Sequence, residues 1–132
     1  MPRPISSLAH GLLDYPAGLL VVASPWLCGY ADVGHGAPTV AVIVGVLLLL
    51  QSAITDYELS LVDVLPMASH LTIDAVAGVV LLISPFVLGV TDEGTNAWLP
   101  QVLLGLALIG SGVLTRPYRE TQRAAPSSVT RS

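Results

Sequence analysis

Four long segments of this chain contain no charged residue, and this feature restricts the fold more than any other. They are residues 15–31, 37–55, 75–91 and 97–115. A helix needs about 20 mostly apolar residues to cross the roughly 30 Å hydrocarbon core of a bilayer. A helical bundle in water would need a charged face opposite each apolar stripe, and these segments have none. The segments therefore predict an all-α fold with four transmembrane helices.

The chain is also duplicated, with a spacing of sixty residues between the two copies. Residues 10–29 and 70–89 align without a gap and share His, Asp, Ala-Gly, Ser-Pro and Gly at the same offsets. Over the forty-six positions 10–55, fourteen residues are identical to those sixty positions later. Such self-similarity indicates a structural repeat. Each copy contains two spans, so we expect two tandem repeats in the same orientation, related by an axis along the membrane normal.

The duplication predicts the division of the chain. We expect an N-terminal tail (1–6), a first repeat (7–58), a cytoplasmic connector (59–66), a second repeat (67–118) and a disordered tail (119–132). The predicted helices are residues 7–28, 37–54, 66–88 and 98–115. Small residues let helices pack closely in a membrane, so Gly105, Gly110 and Gly112 predict close approach of a neighbour to the last helix.

The distribution of charge predicts the orientation. The chain has no lysine, and its five arginines lie at the two ends, at position 3 and from position 116 onward. Basic residues concentrate on the cytoplasmic side, so both termini should be cytoplasmic. We expect a multi-pass protein of a bacterial or archaeal cell membrane. The lipid bilayer is its expected partner, self-association into a homo-oligomer is left open, and the absence of a basic patch argues against nucleic acid.

The first helix of each repeat contains Ser-Pro followed by an aromatic residue. The two copies are Ser24-Pro25-Trp26 and Ser84-Pro85-Phe86. A proline inside a helix removes one backbone hydrogen bond, and in hydrocarbon the freed carbonyl must find another donor. The preceding serine hydroxyl is a candidate donor. The aromatic ring is expected at the level of the lipid headgroups.

This pattern resembles the SPW-repeat membrane proteins, whose signature is Ser-Pro-Trp in the first of two transmembrane helices. The preceding His-x-x-x-Asp-x-x-Ala-Gly, at positions 10–18 and 70–78, is similar to that family too. The resemblance covers about residues 7–118. The second copy departs from it at Phe86, which keeps the aromatic ring and loses the indole N–H donor. The resemblance implies a small integral membrane protein and no established activity.

Two His-Asp pairs carry the chemistry of the chain. His10 and Asp14 are four residues apart and share one helix face, as do His70 and Asp74. We expect the pairs in the cytoplasmic third of the membrane. An ionised carboxylate costs about 2.5–3.5 kcal/mol in the middle of a bilayer and somewhat less nearer the edge, so these groups need partners, protons or water. The small Ala-Gly pairs that follow predict that this face points into the bundle.

Three interpretations of the pairs are open. The favoured one is a structural network between the repeats of a structural or interaction component. The alternatives are a conduit for protons, ions or small solutes, and a metal or haem site whose metal is unknown. We predict no cofactor. The chain has no phosphate-binding loop, nucleophile elbow or His-Glu-x-x-His motif, so we predict that it is not an enzyme.

Overall fold

The computed structural model describes residues 5–56, 61 and 65–115 of the chain. The described part contains four helices, α1 (Ser7–Leu27), α2 (Ala37–Ile54), α3 (Met67–Val87) and α4 (Thr95–Leu114), and two short strands, β1 (Thr55–Asp56) and β2 (Leu65–Pro66). Most of the predicted connector and tails lies outside the described residues, as do residues 57–58 and 116–118 of the predicted repeats.

The all-α prediction with four helices is confirmed. By length and composition, α2, α3 and α4 are each apolar and long enough to cross a membrane. Helix α1 matches α3 in length, at 21 residues, but His10, Asp14 and Pro16 make its first half less apolar.

Helix α4 begins three residues earlier than the sequence predicts. The prediction placed Pro100 in the first turn, where its missing N–H would have no helical partner in any case. Gly94 instead ends the preceding loop with a φ of 112°, a backbone conformation that glycine adopts easily, and the helix starts at Thr95. Pro100 then lies in the second turn.

The first helix of each repeat ends in the same backbone motif. Gly29 and Gly89 have φ values of 73° and 70° and let the chain turn away from the helix. The next residue donates its N–H back into the helix, from Tyr30 to the Pro25 carbonyl at 2.8 Å and from Val90 to the Pro85 carbonyl at 3.0 Å. This is the Schellman arrangement, which supplies a donor to a carbonyl at the end of the helix.

Glycines set the distance between the two helices of each repeat. A Cβ atom on Gly45 would lie 3.0 Å from the carbonyl oxygen of Gly18, and one on Gly105 would lie 2.6 Å from that of Gly78. The prediction of close approach to α4 also holds at Gly112, where a Cβ would meet the Leu71 carbonyl at 2.7 Å. It is wrong at Gly110, whose Cβ would have no described neighbour within 4 Å.

Two equivalent bridges join the repeats at one end of the bundle. Thr55 pairs with Leu65 in the parallel ladder of β1 and β2, and Thr115 pairs with Ile5 in an isolated parallel bridge. Both partners of the second bridge are sixty residues from their counterparts in the first. Each bridge thus connects the last helix of one repeat to the start of the first helix of the other. The two repeats run in the same direction about a pseudo-two-fold axis.

The side chains in the interior of the bundle change from apolar to polar along the bundle axis. A central apolar layer contains Val21, Val44, Leu48, Leu81 and Leu108. The end far from the bridges packs Tyr30 and Val90 against small alanines. The end near the bridges is polar. The faces that point outward carry mostly leucine, valine and isoleucine, as lipid contact requires.

Candidate functional site

The structure brings all four predicted His and Asp side chains into one buried cluster, hereafter the His-Asp cluster. Its members are His10 and Asp14 from α1 and His70 and Asp74 from α3, and none is more than 4% exposed. One nitrogen or oxygen atom from each residue lies within 4.8 Å of the corresponding atom of every other. Because each pair lies near the start of its helix, the cluster sits beside the two bridges.

The shortest contacts in the cluster cross between the repeats. His10 Nε2 lies 2.9 Å from Asp74 Oδ2, and His70 Nε2 lies 3.2 Å from Asp14 Oδ2. The corresponding distances within each repeat are longer, 3.6 Å from His10 to Asp14 and 3.3 Å from His70 to Asp74. The sequence placed each histidine on the same helix face as its own aspartate, but the nearer carboxylate belongs to the other repeat.

The two imidazole rings also meet each other. Their Nε2 atoms are 3.3 Å apart, and the ring planes lie at 81° to one another. The two Nε2 atoms and the carboxylate oxygens therefore converge on one small volume. Two carboxylates and two imidazoles in such a volume can balance their charge with two protons or with one divalent cation, and burial requires one of the two.

Threonines at the bridges hold the other side of each ring. His10 Nδ1 lies 2.9 Å from Thr115 Oγ1, and His70 Nδ1 lies 2.6 Å from Thr55 Oγ1. Each threonine belongs to the opposite repeat from the histidine that it contacts.

The threonine hydroxyls determine which ring nitrogen carries a proton. Thr115 Oγ1 donates to the Ser111 carbonyl at 2.6 Å, and Thr55 Oγ1 donates to the Gln51 carbonyl at 2.5 Å. A hydroxyl has one proton, so each threonine oxygen accepts from the histidine ring, and Nδ1 of both histidines is the N–H donor. In the neutral ring, Nε2 then presents a lone pair to the centre of the cluster.

Helix α2 supplies a hydrogen-bond donor to each carboxylate. Ser52 Oγ has two acceptors, Asp14 Oδ2 and the Leu48 carbonyl oxygen, and its single proton is drawn more strongly to the charged carboxylate. Gln51 Nε2 donates to Asp74 Oδ1 at 2.5 Å. The Gln51 Oε1 atom is buried without a hydrogen-bond partner among the described residues. The amide is thus oriented so that its NH₂ group faces the carboxylate, at the cost of leaving its oxygen unpaired.

The sequence interpretation missed Thr55, Thr115, Gln51 and Ser52. Thr55 and Thr115 form one of the fourteen identical pairs between the repeats, and each follows the last residue of the second helix of its repeat. This duplication could have identified them from the sequence. Gln51 and Ser52 are not shared by the second repeat, which has Ser111 and Gly112 at the equivalent positions. Only their polarity, at the end of an otherwise apolar helix, pointed to a role.

The Ser-Pro motifs lie on the far side of the apolar layer from the cluster. Ser24 Oγ donates to the Val21 carbonyl at 2.7 Å, and Ser84 Oγ lies 2.9 Å from the Leu81 carbonyl. These carbonyls are four residues before Pro25 and Pro85, so they are the ones that the prolines deprive of a backbone donor. The aromatic rings that follow point outward, with Trp26 65% and Phe86 59% exposed.

Each motif serine has a second polar partner, and this partner differs between the repeats. The Tyr30 hydroxyl lies 2.6 Å from Ser24 Oγ, whose own proton goes to a carbonyl, so the phenol is the donor. Burial raises the pKa of Tyr30, so the phenol keeps its proton. In the second repeat Ser84 Oγ lies 2.8 Å from Gln101 Oε1. Valine replaces tyrosine at position 90, and alanine replaces glutamine at position 41.

A cleft of about 250 Å³ reaches the His-Asp cluster between α1 and α4. Its walls include His10, Asp14 and Ser111 at one end and apolar side chains such as Leu104 at the other. The cluster can therefore be approached from the side of the bundle without unfolding a helix.

Comparison with known proteins agrees with this architecture. The family model of the SPW repeat domain matches residues 8–115, a range that contains α2, α3 and α4, all of α1 but its first residue, the β1–β2 ladder and the His-Asp cluster. Neither a curated protein nor a solved structure matches the chain. The duplicated hairpin, the Ser-Pro-aromatic motifs and this match identify the chain as a member of the SPW repeat family.

Proposed function

We propose that this protein is a four-span structural or interaction component of a membrane, in which the His-Asp cluster locks the two repeats together. The observation that carries this proposal is that the histidines of the cluster contact side chains of the opposite repeat. Each histidine contacts a carboxylate of the opposite repeat and has its threonine partner there as well. Polar contacts between helices are a known source of association in membranes, where burial of apolar surface gives no driving force.

Helix α1 is the fourth span in this proposal. It has the 21-residue length of α3 and packs along α2, as α3 packs along α4. Its exposed positions include Leu12, Leu13, Leu19 and Leu20, while His10 and Asp14 are turned inward. An apolar outer face with the ionisable groups facing the bundle is the arrangement that a membrane helix requires. The arginine distribution supports cytoplasmic termini.

The apolar layer argues against the conduit alternative. Polar groups occur at the His-Asp cluster and again at the two motif serines. Val21, Val44, Leu48, Leu81 and Leu108 lie between these levels. A proton or ion path needs polar side chains or water along its length.

The spacing of the two histidines argues against haem. A haem held by two imidazoles would need the porphyrin ring between their Nε2 atoms, and these atoms are 3.3 Å apart. We keep the prediction that the protein is not an enzyme, because protein groups already pair with the ring nitrogens and the carboxylates of the cluster. Self-association stays a prediction that molecular mass in detergent would test.

Substitution of the cluster aspartates tests the proposed lock. Asp14→Asn or Asp74→Asn keeps the shape of the side chain and removes the charge that faces the opposite histidine. Breaking a buried pair costs about 3–5 kcal/mol, so we expect the thermal midpoint in mild detergent to fall by about 10 °C or more.

The matched controls are Asp32→Asn and Asp92→Asn. These residues are also sixty positions apart, but both are exposed in the loops at the far end of the bundle. They should unfold as the wild type does. Wild-type stability of both cluster variants would overturn the proposal.

A further inference from the structure

We propose that the His-Asp cluster is a closed, four-coordinate site for a divalent transition-metal ion of the zinc class. Its ligands would be His10 and His70 through Nε2 and Asp14 and Asp74 through one carboxylate oxygen each. This inference rests on the proposed function, since the bound ion would be the centre of the lock between the repeats.

The spacing of the four ligands is close to that of a metal coordination tetrahedron. Zinc binds histidine nitrogen at about 2.0–2.1 Å and carboxylate oxygen at about 2.0–2.2 Å, which corresponds to ligand-to-ligand edges of about 3.3–3.5 Å. The Nε2 atoms are 3.3 Å apart, and Asp74 Oδ2 lies 2.9 Å from that of His10 and 3.3 Å from that of His70. Asp14 presents Oδ2 to His70 at 3.2 Å and Oδ1 to His10 at 3.6 Å. One ligand atom from each residue lies within 4.8 Å of all the others, so a bound ion would draw the longest of these separations in to the tetrahedral edge.

The tautomers of the two rings suit a cation. Both Nδ1 atoms donate to threonine, so two neutral rings direct their Nε2 lone pairs to the volume that the two carboxylates also face. Without an ion, two protons balance the charge of this volume, as Nε2–H donors to the carboxylates of the opposite repeat. A divalent ion would take the place of those two protons and accept the four lone pairs that converge there.

Each ligand has a protein group that orients it. Thr115 accepts from the ring of His10 and Thr55 from that of His70, while Ser52 donates to Asp14 and Gln51 to Asp74. Metal-binding histidines and carboxylates in proteins have such supporting hydrogen bonds, which fix the tautomer and the ring orientation. The cluster therefore has both the ligands of a metal site and the groups that support them.

The donor set selects the class of ion. Two imidazoles disfavour magnesium and calcium, which prefer oxygen ligands, and the absence of sulfur disfavours copper(I). A divalent ion neutralises the two carboxylates, so the buried site carries no net charge. Four protein ligands leave no position for water, which is the mark of a structural site. The cleft between α1 and α4 provides a route for the ion.

Cobalt titration of the full-length, tag-free protein tests the site. The protein is treated with a chelator in mild detergent and titrated with Co²⁺, which gives intense visible bands when it is four-coordinate. We expect one equivalent of Co²⁺ per chain, its displacement by Zn²⁺, and a thermal midpoint that rises with Zn²⁺ but not with Mg²⁺. The Asp14→Asn, Asp74→Asn double variant should lose the bands, and His35→Gln, at an exposed loop residue, should keep them.

A second variant keeps the test decisive if the double aspartate variant does not fold. Thr55→Val with Thr115→Val retains all four ligands and removes the acceptors of the two rings. Loss of such supporting groups weakens metal binding by about 10–100-fold, so we expect the cobalt affinity to fall within that range.

The outcomes separate this inference from the proposed lock. Failure of the wild type to bind Co²⁺ and Zn²⁺, or equal binding by the double aspartate variant, overturns the metal site. If the single aspartate variants are nonetheless destabilised, the lock stands as a network of protons and hydrogen bonds. If they are as stable as the wild type, both proposals fail.

Discussion

The two repeats share a backbone plan and the same His-Asp pair, but they contribute unequally to the cluster. The second helix of the first repeat, α2, donates to both carboxylates through Ser52 and Gln51. The equivalent positions of α4 are Gly112 and Ser111. Ser111 Oγ bonds to the Leu108 carbonyl of its own helix, and Gly112 lets α4 approach α3 closely. Beside the cluster, α2 of the first repeat thus supplies polar side chains, whereas α4 of the second repeat packs closely against α3.

This difference shows that a site whose charged residues are duplicated need not have all of its supporting groups in both copies. The charged groups are duplicated, because each repeat must present a His-Asp pair to the other. The donors that satisfy the carboxylates are needed only once, since α2 reaches both. The duplicated histidines also need an acceptor each, and the threonines that provide it are duplicated as well.

Removing the two donors of α2 should give the largest asymmetry between the repeats. In a Gln51→Leu, Ser52→Ala variant both carboxylates lose a charge-assisted hydrogen bond, each worth about 1.5–3 kcal/mol. We expect the free energy of unfolding in detergent to fall by about 3 kcal/mol or more. Ser111→Ala is the matched change in α4 and should cost less than about 1 kcal/mol. Equal losses would show that the cluster is supported symmetrically.

Two glycines of α4 provide a sharper test of its packing role. Gly112→Ala places a methyl group 2.7 Å from the Leu71 carbonyl, so we expect a loss of about 1–3 kcal/mol from overpacking. Gly110→Ala meets no described neighbour within 4 Å and should gain up to about 1 kcal/mol from helix propensity. Thermal unfolding of the two variants under the same conditions compares them directly. A stabilised Gly112→Ala would contradict the close packing of α3 and α4.

The partners of the motif serines differ because the larger, polar side chain stands at one position in the first repeat and at another position in the second. Tyr30 with Ala41 in the first repeat corresponds to Val90 with Gln101 in the second. Tyr30→Val alone should leave a cavity and remove the hydroxyl that donates to Ser24, and Ala41→Gln alone should overpack the core. The double variant reproduces the second repeat, so we expect it to be more stable than the sum of the singles by about 1 kcal/mol. A double-mutant cycle measures this coupling, and strict additivity would refute it.

Much of this molecule follows from its sequence. The bounds of α2 agree with the uncharged segment that predicted it, because this segment follows Gly36, which adopts a positive φ, and opens with Pro38 in the first turn. The four cluster residues were recognisable, since an ionisable pair on one face of an apolar helix must be turned inward. The start of α4 was missed because Thr95 and Asn96 are polar and were assigned to the loop, whereas they form the first turn of the helix.

The connections between the repeats could not be predicted. Spacing places His10 beside Asp14, yet the shorter contact is to Asp74. Only the relative placement of two distant helices decides this, and no local pattern encodes it. The same holds for Gln51, whose partner Asp74 belongs to the other repeat.

The pair of bridges at the ends of the helices makes the architecture a closed ring of two hairpins. Residue 5 lies beside residue 115 as residue 65 lies beside residue 55, so the order of the hairpins along the polypeptide is a matter of connectivity alone. A circular permutant that opens the chain between residues 56 and 65 and joins 115 back to 5 through a linker retains every interface described above. By the same reasoning, each hairpin carries one half of a self-complementary surface, the form that a symmetric pair of separate single-repeat chains would use.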